Sequence, residues 1–206
     1  MQAITDLIMY FQKGGLVMWP LLACSVTVIA IAIERFIYYK SVDSGAAFAS
    51  HYCAAVRSGD FAVATELARK GSGQCAQMLA DVETVAGGKA EKSGFLESRA
   101  GIFMATLRDK LDYLGIIVTM SPLLGLLGTI VGMIGAFSIF NVEAGAPMAI
   151  TGGIGEALIA TATGLCVAIL SLCAHSYFAH RMDNMITDME QCFSALLEAE
   201  TRRGRS

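Results

Sequence analysis

From Tyr113 to Phe140 the chain runs for 28 residues without a charged side chain, with one proline and with glycines at positions 125, 128, 132 and 135. At ~1.5 Å rise per residue such a run exceeds what a bilayer's ~30 Å hydrocarbon core needs, even for a tilted helix. At about 100° per residue Gly125, Gly128, Gly132 and Gly135 fall on one narrow face, where a neighbouring backbone can approach with no side chain between. The run reads as a membrane helix built to pack against other helices.

The rest of the chain fits that environment. It is 55% hydrophobic and 16% charged, which places it in the membrane class rather than among soluble domains. Two more uncharged apolar runs, Gly15 to Ile33 and Ala157 to Tyr177, bring the expected spans to three. An odd number puts the termini on opposite sides. Nine of the fifteen Lys and Arg residues lie between Lys40 and Lys110, and Arg181, Arg202, Arg203 and Arg205 follow the third run. Basic residues gather in cytoplasmic segments, so the N-terminus is expected outside and the C-terminus inside. The first run is read as an uncleaved anchor: Asp6 sits in its leading segment and its apolar stretch is longer than a signal peptide's ~7–15 residues.

The resulting plan is an all-α membrane protein with three transmembrane helices, the second and third extended into a cytoplasmic helical bundle. Residues 1–13 form an amphipathic segment with Ile4, Leu7, Ile8 and Phe11 at helical spacing, and 14–39 the first span. Residues 40–112 form a cytoplasmic loop and the approach to span two, 113–140 the second span, 141–147 a short outer turn, 148–178 the third span and 179–206 a C-terminal helix with a basic tail. Within the loop, Asp60 is the expected N-cap of a helix from Phe61 to Lys70, with Ala62, Leu67 and Ala68 as its apolar face and Gly71 as its stop. A second helix covers about Gln74 to Val85, ended by Gly87-Gly88. From Lys89 the pattern Phe95, Leu96, Ile102, Phe103, Leu107, Leu111, Leu114 runs straight into the second span. Past the third span, Tyr177, Met182, Met185, Ile186, Met189, Phe193 and Leu196 continue a helical stripe.

Few residues are candidates for chemistry. The six cysteines show no C-x-x-C and no histidine at ligand spacing, so no zinc site is readable; Cys24, Cys166 and Cys173 read as packing residues, and Cys53, Cys75 and Cys192 as reduced cytoplasmic thiols. No nucleophile–base pair or phosphate loop appears, which argues against catalysis, and no basic stripe points to nucleic acid. The short basic tail is a solvated end or a contact for anionic lipid. Glu156, in GGIGEALIATATGL, lies next to an apolar run. A carboxylate at mid-span costs about 2.5–3.5 kcal/mol, so Glu156 either faces protein or water or marks the outer end of the span near headgroups. Thr129, Thr161 and Thr163 place hydroxyls inside the spans. A lone threonine usually bonds the carbonyl one turn back, but here each stands among glycines and alanines on tightly packing helices.

The segment SPLLGLLGTIVGMIGAF, Ser121 to Phe137, followed after a short turn by GGIGEALIATATGL, Gly152 to Leu165, resembles the paired signature of the MotA/TolQ/ExbB proton-channel family. Glu34-Arg35 at the end of the first span and GDFAVATELA in the loop are similar to the ExbB/TolQ branch; the MotA branch has an additional span. The resemblance implies an inner-membrane, proton-driven motor without a cofactor. Five copies would ring the membrane helices of a single-span ExbD/TolR-like partner carrying an intramembrane aspartate. A TonB- or TolA-like protein would be moved in TonB-dependent import or Tol-like envelope maintenance. By motif match it makes Thr129 and Thr161 pore threonines and Glu156 the acidic residue at the head of the third span; Thr163 joins the expected pathway because it shares the helix face of Glu156. On a straight helix Thr161 lies about 140° from Glu156 and Thr163 within about 20°. Either the helix is irregular at Gly152, Gly153 and Gly155, or Glu156 and Thr161 do not face one pore together. No Asp, Glu or His lies deep in a span, so an excess proton needs a carboxylate from another chain.

The competing reading is a non-conducting scaffold that holds a single-span partner through the glycine face. A solute transporter is disfavoured by three spans without an inverted repeat. Proton and sodium coupling both stay open, although a sodium cage needs more oxygen ligands than the spans supply.

Overall fold

The computed structural model describes residue 11, residues 14–142 and residues 147–203. The expected amphipathic segment, except Phe11, most of the outer turn and the last residues of the basic tail lie outside the described residues. Every regular element among those described is helical: α1 (Met18–Val42), α2 (Ala46–Ser58), α3 (Phe61–Lys70), α4 (Gln74–Val82), α5 (Lys89–Arg108), α6 (Leu111–Val142) and α7 (Pro147–Arg203). Three stretches of helix are long and apolar enough to cross a membrane. The chain divides into two compact units, residues 1–33 with 112–176 and residues 34–111 with 177–206.

The first unit holds the apolar runs. Its side chains do not segregate as in a soluble core: Ile29 and Ile33 on α1, Leu123, Leu126, Ile130, Ile134 and Phe137 on α6, and Leu158, Leu165, Ile169 and Leu170 on α7 are all exposed. Water would oppose such a surface, whereas lipid or a neighbouring membrane chain accepts it. The residues this unit does bury are mostly small. Ser121, Gly125, Gly128, Gly132 and Ala136 line one side of α6, while Ala157, Ala160, Gly164 and Ser171 line one side of α7. Pro122 removes one N–H from the α6 ladder without ending the helix, as membrane helices tolerate. Ahead of α1, Gly15 turns the chain with φ +71°, and Val17, Met18 and Leu21 pack with Phe11 and Leu124.

The second unit is a bundle with a conventional core. α3 spans Phe61–Lys70, and the Asp60 carboxylate accepts from the Val63 N–H at 3.2 Å, capping the helix as its sequence leads one to expect. Its buried face is Ala64 and Ala68 rather than Ala62, which is exposed: the packing selects the i, i+4 pair. α4 stops at Val82, three residues before the expected end. There the Thr84 N–H and hydroxyl both bond the Asp81 carbonyl, closing a turn before Gly87-Gly88 is reached. α2 has no counterpart in the sequence reading, although Ala49, Tyr52, Cys53 and Val56 recur at helical spacing and are buried. In α5 the buried stripe is Leu96, Ala100, Phe103 and Leu107, while Ile102 is exposed. On α7 Met182, Met185, Met189, Phe193 and Leu196 are buried, and Phe178 takes the inward position expected for the exposed Tyr177.

One expectation fails in an instructive way. The pattern from Lys89 does not run unbroken into the second span, because Asp109 and Lys110 separate α5 from α6. The guanidinium of Arg35, which is buried, donates to the Thr106 carbonyl at 3.0 Å, and the Tyr39 hydroxyl donates to the Leu107 carbonyl at 2.9 Å. In an uninterrupted helix those carbonyls receive the N–H groups of Lys110 and Leu111; side-chain donors placed there break the ladder. Glu34 closes the arrangement, bonding Arg35 at 2.9 Å and Lys110 at 3.1 Å.

Three thiols from three helices lie buried in this unit. Cys53 and Cys192 approach to 4.0 Å between sulfurs. Burial pushes the Cys53 thiol up to about 11, and a hydrogen bond donated to Cys75, together with burial, pushes the Cys192 thiol up as well. Among the described residues no group of three His, Cys, Asp or Glu side chains is placed to hold a metal.

Candidate functional site

The candidate residues sit in the membrane unit, along an antiparallel seam between α6 and α7. Closeness there is backbone closeness. A Cβ on Gly128 would come within 2.5 Å of the Ala160 Cβ, one on Gly164 within 2.5 Å of the Ser121 carbonyl oxygen, and one on Gly153 within 2.5 Å of the Ala136 Cβ. Gly125 lies against the backbone of Thr161, and Gly132 against Gly153 and Ala157. Gly135, in contrast, has open space around its Cα. Three of the four glycines picked out on α6 are thus covered by α7 of the same chain, and that stretch of the face is not open to a partner's helix. Gly153, Ala157, Ala160 and Gly164 on α7 answer them at spacings of four, three and four. Their pattern stood in the sequence, but its partner surface did not.

Two hydroxyls stitch the seam. Thr161 Oγ1 donates to the Gly125 carbonyl at 3.0 Å, and Ser171 Oγ donates to the Leu114 carbonyl at 2.9 Å, both between helices. In an apolar medium such bonds avoid an unsatisfied donor and fix the register of the two helices. Thr129 and Thr163 instead bond back within their own helices, to Leu126 at 2.7 Å and Ile159 at 2.8 Å. All three threonine hydroxyls therefore donate to carbonyls and keep lone pairs for accepting. Ser121 Oγ, buried in the seam, has no hydrogen-bond partner among the described residues.

Glu156 stands elsewhere. α7 is one uninterrupted helix through Gly152, Gly153 and Gly155, so the irregular start that could have turned Glu156 and Thr161 the same way is not present. Thr161 faces α6, whereas the half-buried Glu156 carboxylate lies directly against Gly15, where any Cβ would collide with its oxygen. Gly14 lies against Ile159, one turn along the same face. Gly15 thus makes room for Glu156, a role no local sequence signal announced. The structure brings Thr161 together with Gly125 and Glu156 together with Gly15, and leaves Thr129 half-exposed on α6.

Comparison with known proteins bears on this arrangement. Residues 74–191 match the model of the MotA/TolQ/ExbB proton channel family. The chain is 33% identical over 170 residues to the ExbB-like 1 biopolymer transport protein of Synechocystis sp., covering 79% of this chain and 66% of that protein. It is 27% identical over 186 residues to the biopolymer transport protein exbB1 of Vibrio cholerae, covering 87% and 82%. Over 81 residues it is 36% identical to the Tol-Pal system protein TolQ of Pseudomonas aeruginosa, covering 39% and 35%. With three helices able to span a bilayer and a small-residue seam joining two of them, this chain is a multi-pass membrane protein that belongs to the ExbB/TolQ branch of the MotA/TolQ/ExbB proton channel family.

Proposed function

We propose that the chain is the ring-forming subunit of a proton-driven motor in a bacterial inner membrane, its N-terminus periplasmic and its C-terminus cytoplasmic. Five copies enclose the membrane helices of a single-span ExbD/TolR-like partner, and proton flow through the assembly moves a TonB- or TolA-like protein. The relatives named for biopolymer transport and for the Tol-Pal system support that envelope role.

The observation that carries the reading is a deficiency. Between Lys110 and Arg181 the sequence holds no Lys or Arg, and its acidic side chains there are Asp112, Glu143 and Glu156. Asp112 precedes the uncharged run of α6, Glu143 follows it, and Glu156 directly precedes the apolar run Ala157 to Tyr177 of α7, so none lies within one of the apolar runs. Hydroxyls of Thr129, Thr161 and Thr163 orient water but hold no excess proton, and a relay across hydrocarbon needs an ionisable group. A partner aspartate between the spans supplies it. Glu156 then serves as a proton antenna at the outer end, and each proton crossing releases ~2.3 kcal/mol per 100 mV.

The test is reconstitution in liposomes with an imposed potential and a trapped pH dye. Flux is expected with the chain and its partner together, and is lost when the partner aspartate becomes Asn. Equal flux from this chain alone, or no flux from the intact pair, overturns the reading.

A further inference from the structure

The last turns of α1 and a stretch of α7 frame a cleft of about 300 Å³ lined by Phe36, Tyr39, Lys40, Tyr177, Phe178 and Arg181. Its floor is aromatic and rigid: Tyr39 and Phe178 are buried and meet edge to face at 5.6 Å, with the Tyr39 hydroxyl already committed to the Leu107 carbonyl. Its walls are exposed aromatics, Phe36 at 55% and Tyr177 at 50% of full exposure. Its rim is cationic. Lys40 and the Tyr177 hydroxyl have no hydrogen-bond or ion-pair partner among the described residues. Arg181 gives one nitrogen to Asp43 at 3.0 Å. No carboxylate lines the cleft; Asp43 and Asp188 line a neighbouring cavity instead.

The position of these residues along their helices selects the ligand. Lys40 is the first exposed cation after the apolar run of α1, since Arg35 is buried and spent on carbonyls; Arg181 is the first Lys or Arg after the uncharged run of α7. Exposed apolar side chains stand beside both, Phe36 and Ile37 on one helix and Tyr177 on the other. Aromatic rings and basic residues at the end of a span are where headgroups lie. A soluble phosphate would gain nothing from the apolar approach, whereas a phospholipid uses it for its acyl chains.

We infer that this cleft is a binding site for an anionic phospholipid, with Lys40 and Arg181 neutralising its phosphate, Tyr177 donating a hydroxyl, and Phe36 and Tyr177 flanking the glycerol. The site is separate from the proton pathway proposed above and stands whether or not that pathway is right.

The experiment is native mass spectrometry of the full-length protein released from detergent with equal amounts of phosphatidylglycerol or phosphatidylcholine. Phosphatidylglycerol adducts are expected to dominate. Lys40→Gln, which breaks no internal contact, is expected to weaken them about fivefold, one cation's share of headgroup attraction. Lys40→Arg restores them, and Lys110→Gln, which removes a cation bound instead to Glu34, leaves them unchanged. Equal retention of the two lipids, unchanged phosphatidylglycerol binding in Lys40→Gln, or disulfide cross-linking of Tyr177→Cys between copies without lipid, which would mean a second copy covers the cleft, overturns the proposal.

Discussion

Arg35 and Thr106 lie 71 residues apart, yet the guanidinium of one meets the carbonyl of the other at 3.0 Å. The contact converts the charge that ends the first apolar run into a pin on the α5–α6 junction. Glu34 and Lys110 surround it, so the buried cation is paired and hydrogen-bonded rather than stranded.

Arg35→Ala leaves the Thr106 carbonyl without its side-chain donor and Glu34 without its buried partner. A loss of about 2–4 kcal/mol is expected. Arg35→Lys recovers only part of it, because an ammonium cannot reproduce the planar fork. Thermal unfolding in detergent measures both, and equal midpoints for wild type and Arg35→Ala would refute the pin.

The seam predicts an asymmetry among glycines. Gly128→Ala and Gly164→Ala force α6 and α7 apart and are expected to cost about 1–3 kcal/mol each through overpacking. Gly135→Ala meets open space and is expected to be neutral or slightly stabilising, since alanine is the better helix former. Denaturation midpoints of the three variants check the order.

Gly15 carries two separate demands, a left-handed backbone and room for the Glu156 carboxylate. Gly15→Ala is expected to lose about 1–2 kcal/mol from conformation alone. The collision adds to this only while Glu156 is present. A double-mutant cycle with Glu156→Ala therefore gives a coupling of about 1 kcal/mol or more; strict additivity would show that the two residues do not touch in the working protein.

The buried thiols predict slow alkylation. With the Cys53 thiol raised to about 11, its thiolate fraction at pH 8 is about a thousandth, against a few tenths for an ordinary cysteine. Labelling of Cys53 and Cys192 in the folded protein is expected to be negligible at pH 8, that of Cys53 to climb with pH toward 11 while Cys192 stays protected, and both to become complete on unfolding. Mass spectrometry after timed maleimide treatment reads this out, and rapid labelling at pH 8 contradicts it.

The α3 cap at Asp60, the start of α5 at Lys89 and the methionine stripe of α7 were legible because each depends on neighbours within a turn or two. α2 was legible in principle from Ala49, Tyr52, Cys53 and Val56, but alanine and cysteine make a faint apolar signal. Ala64 against Ala62, and Phe178 against Tyr177, were not legible. Adjacent positions of similar hydropathy differ only in which side the rest of the bundle lies.

What the sequence determined by itself is the environment and the kinship: long uncharged runs require lipid, small residues at helical spacing require close helix partners, and the paired glycine-rich segments mark the family. Which group answers which was settled by packing. Thr161 found the Gly125 carbonyl, Glu156 found Gly15, and Arg35 found Thr106. Periodicity fixes the face on which a side chain stands, but hydrogen bonds and steric fit are set at the ångström scale between segments far apart in sequence, and those distances exist only once the helices have packed.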